Sequence, residues 1–75
     1  MKMTLVEKFM YWLEYRYVYN SNTNEVHRLK HKHINCKLEA MSWKNKEYLT
    51  EYGADIRFAQ GADGCRWCYS QKNTG

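Results

Sequence analysis

The chain contains no proline and only four glycines among its 75 residues. Proline-rich linkers and low-complexity tails are thereby excluded, and with 44% of residues hydrophobic the chain reads as one folded domain. Long apolar runs are absent as well. Glu7, Lys8 and Glu14 break the N-terminal segment, so neither a secretory leader nor a membrane span is expected. Cysteine is scarce and odd in number: Cys36, Cys65 and Cys68. An odd set with no leader points to a reducing compartment, so the expected location is the cytoplasm. Paired carboxylates, a Ser-His arrangement and a Gly-rich phosphate loop are all missing, and no enzyme is expected.

The few cysteines are well placed for metal chemistry. Cys65 and Cys68 form a Cys-Arg-Trp-Cys pair directly after Gly61 and Gly64, whose freedom suits a tight knuckle. Cys36 supplies a third thiol, and His27, His31 and His33 lie upstream or beside it. Three thiols and one imidazole fill a tetrahedral site, and one structural Zn²⁺ is the expected cofactor. His27 is the preferred fourth ligand because a strand end aims a ring well, and His33, which forms His-x-x-Cys with Cys36, is the alternative. A redox dithiol requires a larger α/β fold than this chain can build. The rival reading makes the three cysteines small core residues. A metal would matter for folding, since a chain this short barely supports one apolar core.

The expected fold is small α+β. Thr4 and Glu7 have the form of a capping box, followed by Leu5, Val6, Phe9, Met10 and Leu13 at helical spacing as a buried stripe. From Tyr15 the pattern alternates, and Tyr15, Tyr17 and Tyr19 share one face of a strand. Asn20 to Asn24 form a polar turn, and Glu25 to Lys30 the return strand of a β-hairpin. Residues 31–43 read as irregular with a short helical turn near Lys37 to Met41. A third strand is expected over Glu47 to Thr50, completing a short sheet. A second helix follows from about Thr50 to Gln60, with Ala54, Phe58 and Ala59 facing inward and Gly61 just past its end. The C-terminal zinc knuckle closes a single domain over residues 1–70, leaving 71–75 as a frayed tail.

Two surfaces compete for a role. The segment from Val26 to Leu38 carries Arg28, Lys30, Lys32 and Lys37 with no carboxylate, and Lys44, Lys46 and Arg66 follow. These are candidate phosphate contacts within a net charge of +4. Three thiolates with one Zn²⁺ lower that charge by one, so the chain is only moderately basic. The aromatic cluster Tyr11, Trp12, Tyr15, Tyr17 and Tyr19, with Trp43, is too dense to be wholly core, and exposed Tyr and Trp favour protein interfaces.

A hairpin ending in Val26-His27, then Cys36, then a helix ending Ala59-Gln60-Gly61, then Cys65-Arg66-Trp67-Cys68, resembles the Ada-type metal-binding fold. The resemblance covers about residues 15–70 and extends to short zinc modules attached to some nucleases. It departs at Gly64, where a proline is usual, and in a longer interval between His27 and Cys36. It implies a zinc domain able to touch DNA. In Ada the first zinc-bound cysteine accepts a methyl group, and His27 stands at the matching position, so methyl transfer is not implied there. Four protein ligands also leave no open position for a hydrolytic water. The expected function is a non-catalytic, zinc-stabilised regulator or inhibitor that contacts a larger protein. Its composition resembles that of phage or mobile-element accessory proteins. Nucleic-acid backbone binding is the alternative, and a thiol methyl-acceptor or redox protein the third. The oligomeric state is left open.

Overall fold

The computed structural model describes residues 2–73. Its regular elements are helix α1 (Leu5–Trp12), strands β1 (Tyr17–Asn20), β2 (Glu25–Arg28) and β3 (Lys46–Leu49), helix α2 (Glu51–Ala59) and strand β4 (Asp63–Gly64). Short 3₁₀ turns fill most of residues 29–45 between β2 and β3. The sheet order is β3-β1-β2-β4, antiparallel except for the parallel β2–β4 edge. This is the small α+β architecture expected, with the hairpin, third strand and second helix close to their sequence-based positions.

Register divides the core into two layers. Val18 lies opposite His27 and Tyr48, so these three side chains share one sheet face. There Val18 joins Leu29, Leu38 and the three cysteines in a buried cluster. On the other face Tyr19, Val26 and Leu49 pack with Ala54 of α2. Thr50 caps α2 by accepting from Gly53 N at 3.1 Å, and Arg57 grips Glu47 of β3 through both carboxylate oxygens at 3.0 Å. Gly61 follows α2 with φ +98°, the left-handed geometry that glycine tolerates best. Ala59, expected to face inward, is exposed.

The first helix forms as its sequence predicts but faces the other way. Both halves of the capping box are present: Thr4 N donates to Glu7 Oε1 at 2.9 Å and Glu7 N to Thr4 Oγ1 at 3.2 Å. The expected buried stripe, however, is on the surface. Leu5 is 84% exposed and Trp12 76%, and Val6, Phe9 and Leu13 are exposed too. The residue that α1 buries is Glu7, at 3% exposure. Its carboxylate accepts from Lys32 Nζ at 2.8 Å, and the Lys32 side chain, with no exposed area, also pairs with Glu39. Burial alone would depress the Lys32 ammonium. The hydrogen bonds it donates to Glu39 and Glu7 outweigh that and hold it above its ordinary pKa. An ion pair this deep is kept only when both partners stay matched, so it fixes which side of α1 faces inward. Periodicity locates an apolar face but does not know that a lysine waits beneath the polar one.

The tail expected to fray is packed as far as residue 73. Asn73 Nδ2 donates to Gly64 O at 2.8 Å, and Ser70–Lys72 form a 3₁₀ turn. Residues 74 and 75 lie outside the described residues.

Removing one member of the buried pair strands the other. Lys32→Ala should cost about 3–5 kcal/mol, while the apolar double replacement Glu7→Leu with Lys32→Met should recover most of that loss. Denaturant titration of the two variants at neutral pH checks this.

Candidate metal centre

Strand β2 organises the centre. Val26 O accepts from Cys65 N at 2.9 Å, extending the β2–β4 edge into the first knuckle cysteine. The next residue, His27, turns its ring to the opposite sheet face. The next again, Arg28, donates from its backbone N to Cys68 Sγ at 3.2 Å and from Nε to Cys68 O at 2.7 Å. Three consecutive residues therefore hold one knuckle cysteine, offer a ligand and hold the other cysteine. The Arg28 guanidinium also lies over the Tyr69 ring at 4.7 Å, so it serves the knuckle and is not turned outward to phosphate.

Cys36 arrives on the 3₁₀ turn Ile34–Cys36. His33 caps that turn, its Nδ1 accepting from Asn35 N at 3.0 Å, and its ring stacks on Trp67 with centroids 5.3 Å apart. Lys37 then takes a left-handed φ of 55°, which turns the chain away after the ligand. His33 is exposed and outside the cluster. Its place is structural: it ties the Cys36 turn to the knuckle.

The ligand atoms of His27, Cys36, Cys65 and Cys68 lie within 4.8 Å of one another, and all four residues are buried. Cys36 Sγ is 3.6 Å from Cys65 Sγ, and His27 Nδ1 is 3.6 Å from Cys68 Sγ. Ordinary zinc bond lengths in a tetrahedron require edges of about 3.8 Å between sulfurs and about 3.6 Å between sulfur and nitrogen. The two edges agree with that geometry. With Nδ1 as the ligand atom, the other ring nitrogen, Nε2, is buried without a hydrogen-bond partner, and an ion at this site leaves it so. Each sulfur accepts one backbone N–H: Cys36 from His33 at 3.4 Å, Cys65 from Trp67 at 3.4 Å and Cys68 from Arg28 at 3.2 Å. Amide donors of this kind favour thiolates and orient them as ligands.

Electrostatics without a cation run the other way. Burial pushes the Cys36 and Cys68 thiols up, against the opposing pull of their backbone amides. Burial also pushes His27 down to about 4, so its ring is neutral and free to donate a lone pair. A divalent ion reverses the thiol preference, because coordination removes the proton outright. The residues can hold one metal ion, and this soft three-sulfur, one-nitrogen set suits Zn²⁺.

The glycines contribute differently from one another. A Cβ on Gly64 would stand 2.5 Å from Lys72 Cβ and 2.6 Å from Tyr69 O, so this position is set by close backbone approach. Above the centre lies a cavity of about 590 Å³ whose walls include His27, Cys36, Cys65, Lys37, Arg66 and Trp67.

The remaining sequence candidates separate. Lys32 belongs to the buried ion pair and is lost as a phosphate contact. Lys30, Lys37, Lys44 and Arg66 are exposed and Lys46 half-buried. Among the aromatics, Trp12, Tyr15 and Trp43 are exposed, whereas Tyr11 and Tyr17 are half-buried. Tyr17 stacks on Tyr69 at 5.8 Å. Tyr19 is core, not interface: it is buried, hydrogen-bonds Asn24 Oδ1 at 2.6 Å and lies under Arg57. The amide donors to sulfur and the cap at His33 went unforeseen, since neither has a signal before the register is known. Comparison with family models, with curated proteins and with solved structures returns no match.

One zinc per chain is expected by native mass spectrometry, with chelation leaving the protein unfolded or molten by circular dichroism. His27→Ala should cost far more zinc affinity than His33→Ala, whose loss should stay within about the tenfold to hundredfold range of outer-shell changes. Because burial raises the Cys36 and Cys68 thiols, loading releases protons from them, and affinity should fall as pH falls. Gly64→Ala should destabilise the loaded protein by about 1–3 kcal/mol as Tyr69 and Lys72 are forced apart, measured by thermal melting with excess zinc.

Proposed function

We propose that the chain is a non-catalytic, zinc-stabilised binding module that regulates a larger protein by contact, and that α1 carries the contact. One observation supports this most: α1 turns Leu5, Val6, Phe9, Trp12 and Leu13 to solvent while burying Glu7. Soluble monomers rarely leave so contiguous an apolar patch uncovered, and patches of this kind mark interaction sites. Trp12 has the character of an interface anchor. In this reading the zinc is structural and Ada-like in its ligand order, with four protein ligands and no vacant position for chemistry. No helix among the described residues is long and apolar enough to cross a membrane, and none is needed.

Nucleic-acid binding is retained as a second reading on one observation. Lys37, Arg66 and Trp67 line the cavity over the metal centre, bringing two cations and an indole together. Backbone binding of this kind would weaken steeply with salt.

Phe9→Asp and Trp12→Ala should leave stability within about 0.5 kcal/mol of the parent, as surface changes do, yet abolish capture of the larger partner from the native host. Tyr19→Ala should instead cost about 3 kcal/mol. Thermal melts paired with pull-downs from host extract decide this. Retained capture by Phe9→Asp, or its loss only with Lys37→Glu and Arg66→Glu at low salt, would move the assignment to the groove.

A further inference from the structure

The exposed apolar residues of α1 and Leu13, which caps its C-terminus, form a set symmetric in sequence about Phe9. Leu5 and Leu13 lie four positions to either side, and Val6 and Trp12 three. At about 100° per residue these five occupy one arc of roughly 120°, with Phe9 in the middle. Glu7 and Tyr11 fall on the opposite side, and these are the residues turned to the protein core. The polarity of an ordinary surface helix is thus inverted, and the face it presents is self-complementary.

We infer that in the free protein two copies pair through α1, antiparallel, about a twofold axis at Phe9. This rests on the reading of α1 as a contact surface and commits its occupant, when no larger partner is present, to a second copy of the chain. A closed twofold interface needs the same patch on both copies. The register supplies it: Leu5 meets Leu13 of the second copy, Val6 meets Trp12, and Phe9 meets its own counterpart. Lys8 falls opposite Met10, so no like charges oppose near the axis.

The area is of the right order. The five side chains are between 40% and 84% exposed. They offer roughly 600 Å² per copy, since large rings alone can bury 150–250 Å² each. With the stems of Lys8 and Met10 added, this approaches the ~800 Å² per partner of a standard specific interface. A larger protein would displace the second copy from the same face, so docking would become weaker as the concentration of the module rises.

The test uses the zinc-loaded full chain. Sedimentation velocity across micromolar to millimolar protein should show a monomer–dimer equilibrium, and Phe9→Asp should weaken it at least a hundredfold with an unchanged melting temperature at concentrations where the parent is monomeric. Cysteine cross-linking reads the register. Phe9→Cys, which meets itself at the axis, should give a disulfide-linked dimer under mild oxidation. Leu5→Cys alone should not, whereas Leu5→Cys mixed with Leu13→Cys should. A monomeric parent overturns the inference, as does a dimer that survives Phe9→Asp or a Leu5→Cys homodimer formed in place of the Phe9→Cys one. The two readings fail separately. A monomeric parent that still loses its larger partner on Phe9→Asp removes only the dimer, whereas a dimer whose partner capture ignores Phe9→Asp removes only the regulator reading.

Discussion

Three thiols and an imidazole converge on one point in a chain too short to spare interior volume, and most of the backbone is arranged to bring them there. Strand β2 supplies His27 and, through the backbone of Val26 and Arg28, positions Cys65 and Cys68. The irregular stretch after β2 delivers Cys36 with an amide from His33 on its sulfur. Without a cation this is an uncomfortable interior: burial raises the Cys36 and Cys68 thiols and keeps the His27 imidazole neutral. With a divalent ion the same groups become a closed coordination shell with amide support. Cross-linking the sheet, the 3₁₀ segment and the knuckle through one ion is the kind of constraint by which small domains compensate for a limited core.

The second constraint is the ion pair between Glu7 and Lys32, completed by Glu39. A buried pair is a poor source of net stability, but it is unforgiving of misalignment. Rolling α1 to bury Leu5 and Phe9 would lift Glu7 into water and take the more deeply buried of two carboxylates away from Lys32. The pair therefore selects one rotation of the helix and, with it, the composition of the surface. An apolar face is shown outward because the polar face has a specific partner inside.

Much of the fold was legible because local signals agreed with one another. The Thr4–Glu7 box, the polar turn at Asn20 to Asn24 and the glycine at Gly61 each act within a few residues and appear where expected, whereas the strand expected from Tyr15 begins at Tyr17 and leaves Tyr15 outside it. The ligand set was legible too, because metal chemistry restricts residue type more than position: three cysteines and a histidine are recognisable before their contacts are known. What was not legible depends on contacts distant in sequence. Lys32 reads as one more cation in a basic run until Glu7, far upstream, is seen against it. Tyr19 and Trp12 read alike as aromatics in one cluster, yet sheet register buries the first and helix rotation exposes the second. The choice between His27 and His33 likewise depends on which sheet face a strand residue takes, a matter of one residue in register.

The two constraints meet in a single stretch of chain. Lys32 ends one 3₁₀ turn, and the next two carry Cys36, then Leu38 and Glu39, so the segment that brings a candidate ligand to the cluster also carries the lysine that holds Glu7 and the second carboxylate on that lysine. Tyr11 and Met3 pack against the same buried cluster that contains the three cysteines. Helix α1 therefore has few holdfasts of its own. Its orientation is inherited from a segment whose shape depends on Cys36 being held in place. In the proposed zinc-bound state, the ion would act at a distance on the interaction surface without touching it: it would secure Cys36, Cys36 the 3₁₀ segment, the segment the buried ion pair, and the ion pair the outward apolar face. In that proposal metal and binding surface would be two ends of one mechanical chain, and a structural ion would bear on function even where it performs no chemistry.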